Sequence, residues 1–271
     1  MISVKALFIY PIKSLAGINL DSMSFDQLGP KNDRRYMLVD SHNTMLTQRE
    51  YPILAKFKTQ ITQNDLFISF ENEQIKIQLD ESSHHSISSQ VWEDDVKGFE
   101  VSTDISKWFS TQLNQPVRLI KFDENQPRIM SREFVDFDAT VGFADGFQLL
   151  ITQQSSLEAL DLKENENMLR FRPNIVVHGA EAFSEDYWRE LNINNTILKI
   201  VKPCARCLMP AVNPEDGSKQ PGVIRALAQK RLFNKNTYFG QNAIITSKNT
   251  TIININEPIL ITKQSKKTNI T

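Results

Sequence analysis

Cys204 and Cys207 are the two cysteines of this 271-residue chain, and both fall in "VKPCARCLMPAVNPEDG", Val201–Gly217. Two residues separate them, one of which is Arg206. Such a pair can fill space, run a dithiol cycle, supply half a zinc site, or offer one thiolate with a neighbour. A buried cysteine is commonly just a small hydrophobe. A redox dithiol expects a helix opening at the first cysteine. Here the pair follows the strand-like "ILKIV", and Pro210 blocks a helix beyond it. Structural zinc expects four Cys or His ligands. The histidines are His42, His84, His85 and His178, and only the adjacent His84-His85 are close in sequence, in the polar "ESSHHSISS". A cation such as Arg206 favours the thiolate, the form that attacks and that binds metals. One soft thiolate suits a soft transition metal whose other ligands come from a cofactor. An anionic cofactor would need basic groups elsewhere. Candidates are Lys13 with Ser14 after Pro11, Arg34 beside Arg35, and Arg172 with Asn174 around Pro173. Arginine makes bidentate phosphate contacts and lysine supplies a compact charge. The ordinary alternative for each is a solvated surface charge.

These residues need elements to hold them. "SVKALFIYP", "NLDSMSFD", "RYMLVD", "DLFISFE" and "QIKIQLD" read as short strands, several alternating with period two. Turn signals at Gly29-Pro30 and Ser41-His42-Asn43 separate them. Successive strands without long helices predict an antiparallel barrel or sandwich. A helix follows, capped by Thr103, with Ile105, Trp108, Phe109 and Leu113 on one face and Pro116 beyond its end. Asp123 to Asp138, polar and holding Pro127, reads as a long loop or domain junction. Then come a strand "FQLLIT", a helix from about Gln153 to Leu162, strands "PNIVVHG" and "TILKIVKP", a helix "VIRALAQKRLF", and strands "NAIITS" and "TIININEPILIT". The tail "KQSKKTNIT" is expected to fray. The expected fold is a β-dominated α+β chain in two parts, residues 1–122 and 123–263, with a polar tail over 264–271.

Composition narrows the function. The net charge of −1 argues against a nucleic-acid binder. The N-terminus lacks the basic lead and apolar run of a signal peptide, and no stretch is apolar enough for a membrane span. Two cysteines cannot build a disulfide framework, so a reducing, cytoplasmic setting is expected. The sequons at Asn194 and Asn249 then carry no meaning.

The motifs also carry a resemblance. "YPIKSLAG" (Tyr10–Gly17), "DRRYMLVD" (Asp33–Asp40) and "TQRE" (Thr47–Glu50) resemble the N-terminal β-barrel module of MOSC proteins. "FADG" (Phe143–Gly146), "RFRPNIVV" (Arg170–Val177), "CARC" and "FGQN" (Phe239–Asn242) resemble the MOSC domain itself. The motifs run in family order over nearly the whole chain, and the likeness is greatest to the mitochondrial amidoxime-reducing component and its bacterial relatives. The resemblance implies an N-terminal β-barrel module followed by a MOSC β-barrel domain with a few peripheral helices. It implies a molybdenum cofactor, the metal held by a pyranopterin dithiolene with a phosphate tail. It makes Cys207 the metal ligand and catalytic residue, and Cys204 its neighbour. Lys13, Ser14 and Arg34 match cofactor contacts from the first module. Asp145, Arg172 and Asn174 match those from the second, and Arg206 accompanies the ligand. The family pattern Thr-Thr-Val beyond the cysteine is replaced by Pro210-Ala211-Val212.

The function implied is reduction of N-hydroxylated or N-oxide substrates. The alternative is a carrier of molybdenum cofactor or sulfur without turnover of its own. Larger bacterial relatives carry a four-cysteine ferredoxin domain. This chain holds no such motif, no G-x-G-x-x-G fingerprint, and Leu208 rather than a haem-type His after Cys207. The expected electron source is a separate protein, a flavoprotein reductase with a haem or iron–sulfur carrier.

Overall fold

The computed structural model describes residues 1–79, 81–83, 85–135, 137–162, 167–247, 251–268 and 270. His84 and Asn249, both singled out above, lie outside the described residues.

Alternating burial builds the first half. β1 (Ser3–Ile9) turns Val4, Leu7 and Ile9 inward, and is followed by β2 (Ile18–Leu20) and β3 (Tyr36–Asp40). β4 (Lys58–Ile61), β5 (Asp65–Phe70) and β6 (Glu73–Gln78) form a three-stranded antiparallel sheet. β7 (Ser86–Val91), β8 (Asp94–Glu100) and β9 (Val117–Phe122) join β3 in a four-stranded one, ordered β7-β8-β9-β3. Between β8 and β9 runs α1 (Thr103–Leu113). Its cap is Ser102, whose Oγ accepts from Ile105 N at 3.2 Å, so Thr103 is the first helical residue and not the cap. Phe109 of α1 is fully buried, 5.5 Å from Phe57, and its burial contributes about 1.5–3 kcal/mol.

The second half continues with β10 (Leu149–Gln153), α2 (Gln154–Ala159), β11 (Ile175–His178), β12 (Trp188–Ile193) and β13 (Thr196–Ala205). α3 (Gly222–Arg231), β14 (Asn236–Ile245) and β15 (Ile259–Gln264) complete it. The large sheet is ordered β2-β1-β11-β10-β14-β13-β12-β15, with the short strand Leu232–Phe233 added to β14. Residues 1–122 therefore lend two strands to a sheet otherwise built after residue 148. β1 is antiparallel to β11, Leu7 opposite Ile175, and β10 runs parallel to β11. Leu7, Ile151, Ile175, Trp188 and Leu198 lie in the core beneath this sheet.

Four local expectations change. The segment read as a loop at Asp123–Asp138 contains a strand, Arg128–Ile129, paired with Thr140–Val141, and Arg128 is buried. The helix expected to reach Leu162 ends at Ala159. The helix read through "VIRALAQKRLF" ends at Arg231, and Leu232–Phe233 pair as a strand with β14 instead. The tail is tied down, with Ser265 N donating to Tyr187 O (2.9 Å), Arg189 Nη2 to Lys267 O (2.6 Å), and Ile270 buried.

One buried carboxyl lies away from these changes. Glu185, 1% exposed, accepts from Ser156 Oγ at 2.9 Å, and burial pushes its pKa from 4.5 up to about 7. The folded chain thus keeps a proton that the unfolded chain releases. Stability should fall as pH rises through that interval, by about 3 kcal/mol in all, and level off above it. Urea unfolding at pH 5 and pH 8 should show this slope in the wild type and a smaller one in Glu185→Gln. An identical slope in both would remove Glu185 as its source.

Candidate functional site

Two turns of the first half are laced together. Arg34 N donates to Tyr10 O (2.9 Å), Lys13 N to Tyr36 O (2.8 Å) and Tyr36 N to Pro11 O (3.0 Å). Lys13 and Ser14 follow β1, and Arg34 precedes β3. Arg172 ends the 3-10 turn Met168–Phe171, and Asn174 leads into β11. Antiparallel pairing of β1 with β11 brings both groups to one end of the sheet. Asn174 locks them there. Its main chain bonds Phe8 and Leu150, and its amide accepts from Leu150 N (3.1 Å) and Arg34 Nη1 (3.3 Å) and donates to Phe8 O (3.2 Å). Asn174 thus orients Arg34.

Ser14, Arg34 and Arg172 have φ of 69°, 49° and 56°, an uncommon left-handed conformation for residues with a Cβ. Arg172 also precedes Pro173, which biases it toward extended backbone. Strain of this kind collects at binding sites. Both guanidinium groups lie over the Tyr10 ring, at 4.3 Å (Arg34) and 4.1 Å (Arg172). Gly17 makes room for that ring, because a Cβ there would stand 2.5 Å from Tyr10 Cε1.

The cysteines come from the end of β13. Ala205 pairs with Tyr238, and Arg206 N donates to Thr237 O at 2.8 Å, fixing the loop onto β14. Behind it, Arg231 Nε donates to Tyr238 O (3.1 Å). Asp186 holds Arg231 by two bonds of 2.9 and 2.7 Å and accepts from Gln241 Nε2 at 2.8 Å. The glutamine of "FGQN" is therefore part of the prop under the loop. Cys204 and Cys207 are both free. Cys207 is exposed, its Sγ accepting from Met209 N at 3.4 Å. Arg206 turns to the other cysteine, with Nη1 3.0 Å from Cys204 Sγ and Nη2 on Phe171 O at 2.9 Å.

Lys13, Ser14, Arg34, Asp145, Arg172, Asn174, Arg206 and Cys207, every site residue expected from the sequence, line one cavity of about 690 Å³. Among the wall residues that sequence reasoning did not assign to the site are Arg49, Trp92, Asp94, Arg128, Phe134, Phe147 and Lys202. Arg49 stood inside the quoted "TQRE". Lys202 stood inside the quoted cysteine stretch, two residues before Cys204, while Trp92 and Arg128 sat in stretches with no distinguishing spacing.

Seven lining side chains are cationic and two acidic. Lys13 Nζ donates to Phe143 O (2.9 Å) and Asp145 Oδ1 (2.5 Å). Burial lowers its pKa and Asp145 partly restores it. Desolvation pushes the Asp145 carboxyl up, but Lys13 and the Trp92 indole N–H, 3.0 Å away, outweigh it and hold the group well below the usual carboxylate range. Burial and then Arg34 bring Arg172 down to about 10. Arg172 Nη2, Arg206 Nε and Arg128 Nε are buried with no protein partner. Leaving such a donor unpaired costs about 1–3 kcal/mol. Converging unpaired donors fit a ligand with several anionic oxygens.

Fold and cavity together define a strand-rich protein with a cation-rich cavity beside an exposed thiol. Residues 1–116 match the MOSC N-terminal beta barrel domain and residues 138–259 the MOSC domain. The chain belongs to the family of proteins that join these two domains. It is 30% identical to mitochondrial amidoxime reducing component 2 of Homo sapiens over 81% of this chain and 70% of that protein. It is 29% identical to mitochondrial amidoxime-reducing component 1 of Xenopus laevis over 94% of this chain and 81% of that protein. The Homo sapiens molybdenum cofactor sulfurase is 28% identical over 84% of this chain and 28% of its own length.

Inorganic phosphate is a simple probe of the cradle. Arg34→Ala and Arg172→Ala should each weaken phosphate binding by about ten- to a hundredfold, the worth of one charge-assisted contact. Calorimetric titration measures this. Unchanged affinity in both variants would count against a cradle shared between the two halves.

Proposed function

We propose that this protein is a molybdenum-cofactor-dependent reductase of N-hydroxylated or N-oxide compounds, with electrons drawn from a separate carrier protein. The observation that carries this reading is the convergence of unpaired guanidinium donors and Cys207 on one cavity. Kinship with amidoxime-reducing components supports it.

Lys13, Ser14, Arg34 and Arg172 would hold the anionic part of the cofactor, Arg206 would offer its Nε–H, and Cys207 would supply the protein sulfur to the metal. When bound, the cofactor would supply the two-electron chemistry that turns N–OH and two protons into N–H and water. The chain's own residues bind, orient and shield. Asp145 stays ionised at neutral pH and so offers no proton there; it fixes the Lys13 ammonium. Arg206 and the Asp186–Arg231 prop hold the cysteine loop against β14. Pro210 and Ala211, in place of two threonines, carry no side-chain hydroxyl. Pro210 instead presents its carbonyl to Arg170 Nη1 at 2.6 Å.

The relative named molybdenum cofactor sulfurase supports a second reading, a carrier of cofactor or sulfur. Reduction of benzamidoxime by dye-reduced protein separates the two. Two free cysteines support a reducing, cytoplasmic location. Among the described residues no helix is long and apolar enough to cross a membrane.

Cys207→Ala and Cys207→Ser are expected to abolish benzamidoxime reduction, and Cys207→Ala to lower molybdenum content per chain. Cys204→Ser should do much less to either. Elemental analysis alongside the assay checks this, and the reverse order of damage would move the ligand to Cys204.

A further inference from the structure

The anion cradle leaves another part of the cavity wall unexplained. Lys202, on β13, stands with Nζ 4.2 Å from the ring centre of Phe134 and 5.1 Å from that of Phe147. The two rings meet edge to face, 5.5 Å apart. Met130 and Val141 line the cavity with them. Both rings steady the ammonium by cation–π attraction.

Both lining carboxylates are already engaged. Asp94 pairs with Arg128, and Asp145 with Lys13 and Trp92. Among the described residues no carboxylate pairs with Lys202. A cation held by aromatic rings, in a cavity, with no carboxylate of the described residues paired to it, suits a ligand that is aromatic and acidic at once.

We propose that Lys202, Phe134 and Phe147 form the subsite for the body of the substrate, selecting aromatic N-hydroxylated compounds that carry a carboxylate. The proposal rests on the reductase reading for the N-hydroxyl group alone. Ring contact and charge pairing at Lys202 do not depend on turnover. The rings receive the aromatic body by edge or face, and Lys202 receives the carboxylate. A half-buried charge pair of this kind is worth about tenfold in affinity.

The test compares benzamidoxime with its 4-carboxylate by calorimetric titration of the full chain as purified. Wild type, Lys202→Met and Lys202→Gln are used, the glutamine keeping a polar chain without charge. The carboxylate should bind the wild type about tenfold more tightly than the parent, and the ratio should fall to about one in both variants. Equal affinities in the wild type would overturn the subsite. So would an undiminished preference in the variants, since the carboxylate would then sit on the cradle arginines. Reduction of the same compounds with reduced methyl viologen is read separately. A preference that survives without turnover would sink the reductase reading and leave the subsite standing.

Discussion

The hydrogen bonds of Asn174 decide where the rest of the site can be. One residue bonds both Phe8 of β1 and Leu150 of β10 through its main chain and again through its amide, and steadies Arg34 as well. Bonds of this number on a fully buried amide fix both position and orientation. Because β1 lies in the large sheet, the turns carrying Lys13, Ser14 and Arg34 cannot drift from the turn carrying Arg172. The cradle follows from strand pairing and needs no separate domain-docking step.

Gathering cations this closely is costly, and the surroundings show how the cost is limited. Arg34 pairs with Asp33 at 2.6 Å, both cradle arginines rest on the Tyr10 ring, and Arg172 donates to Leu15 O at 2.6 Å. Each contact satisfies part of a guanidinium and fixes its plane. One nitrogen each on Arg172, Arg206 and Arg128 has no protein partner, and a multivalent anion would offset the positive charge gathered here.

Strands and motifs were legible where the signal is local. Period-two burial in β1 and β5 and the apolar face of α1 are written in neighbouring residues, and the cradle residues sit in motifs that can be read without the fold. What could not be read depends on distant partners. Arg128 is buried because Gly142 and Ala144 present their carbonyls to it. Lys202 meets Phe134 and Phe147 only once β13 is in the sheet. The tail is held by Tyr187 and Arg189. Ser102 and Thr103 can both cap a helix, and the position where the chain first turns helical chose Ser102. Arg206 could have faced either cysteine, and its bond to Phe171 O directs it to Cys204.

The place of β1 also sets an order of events during synthesis. It emerges well before its antiparallel partner β11, which ends at His178, and β10 is flanked on its other side by β14, which ends at Ile245. The sheets formed by β3 to β9 use only residues up to 122 and can close early. The apolar strand "SVKALFI" can pair early with β2 through Leu7 to Ile9, but its other edge waits for β11. The cavity, whose wall runs from Lys13 to Asn242, is complete only once the large sheet has closed, so a ligand held by the whole wall must enter after that sheet has formed.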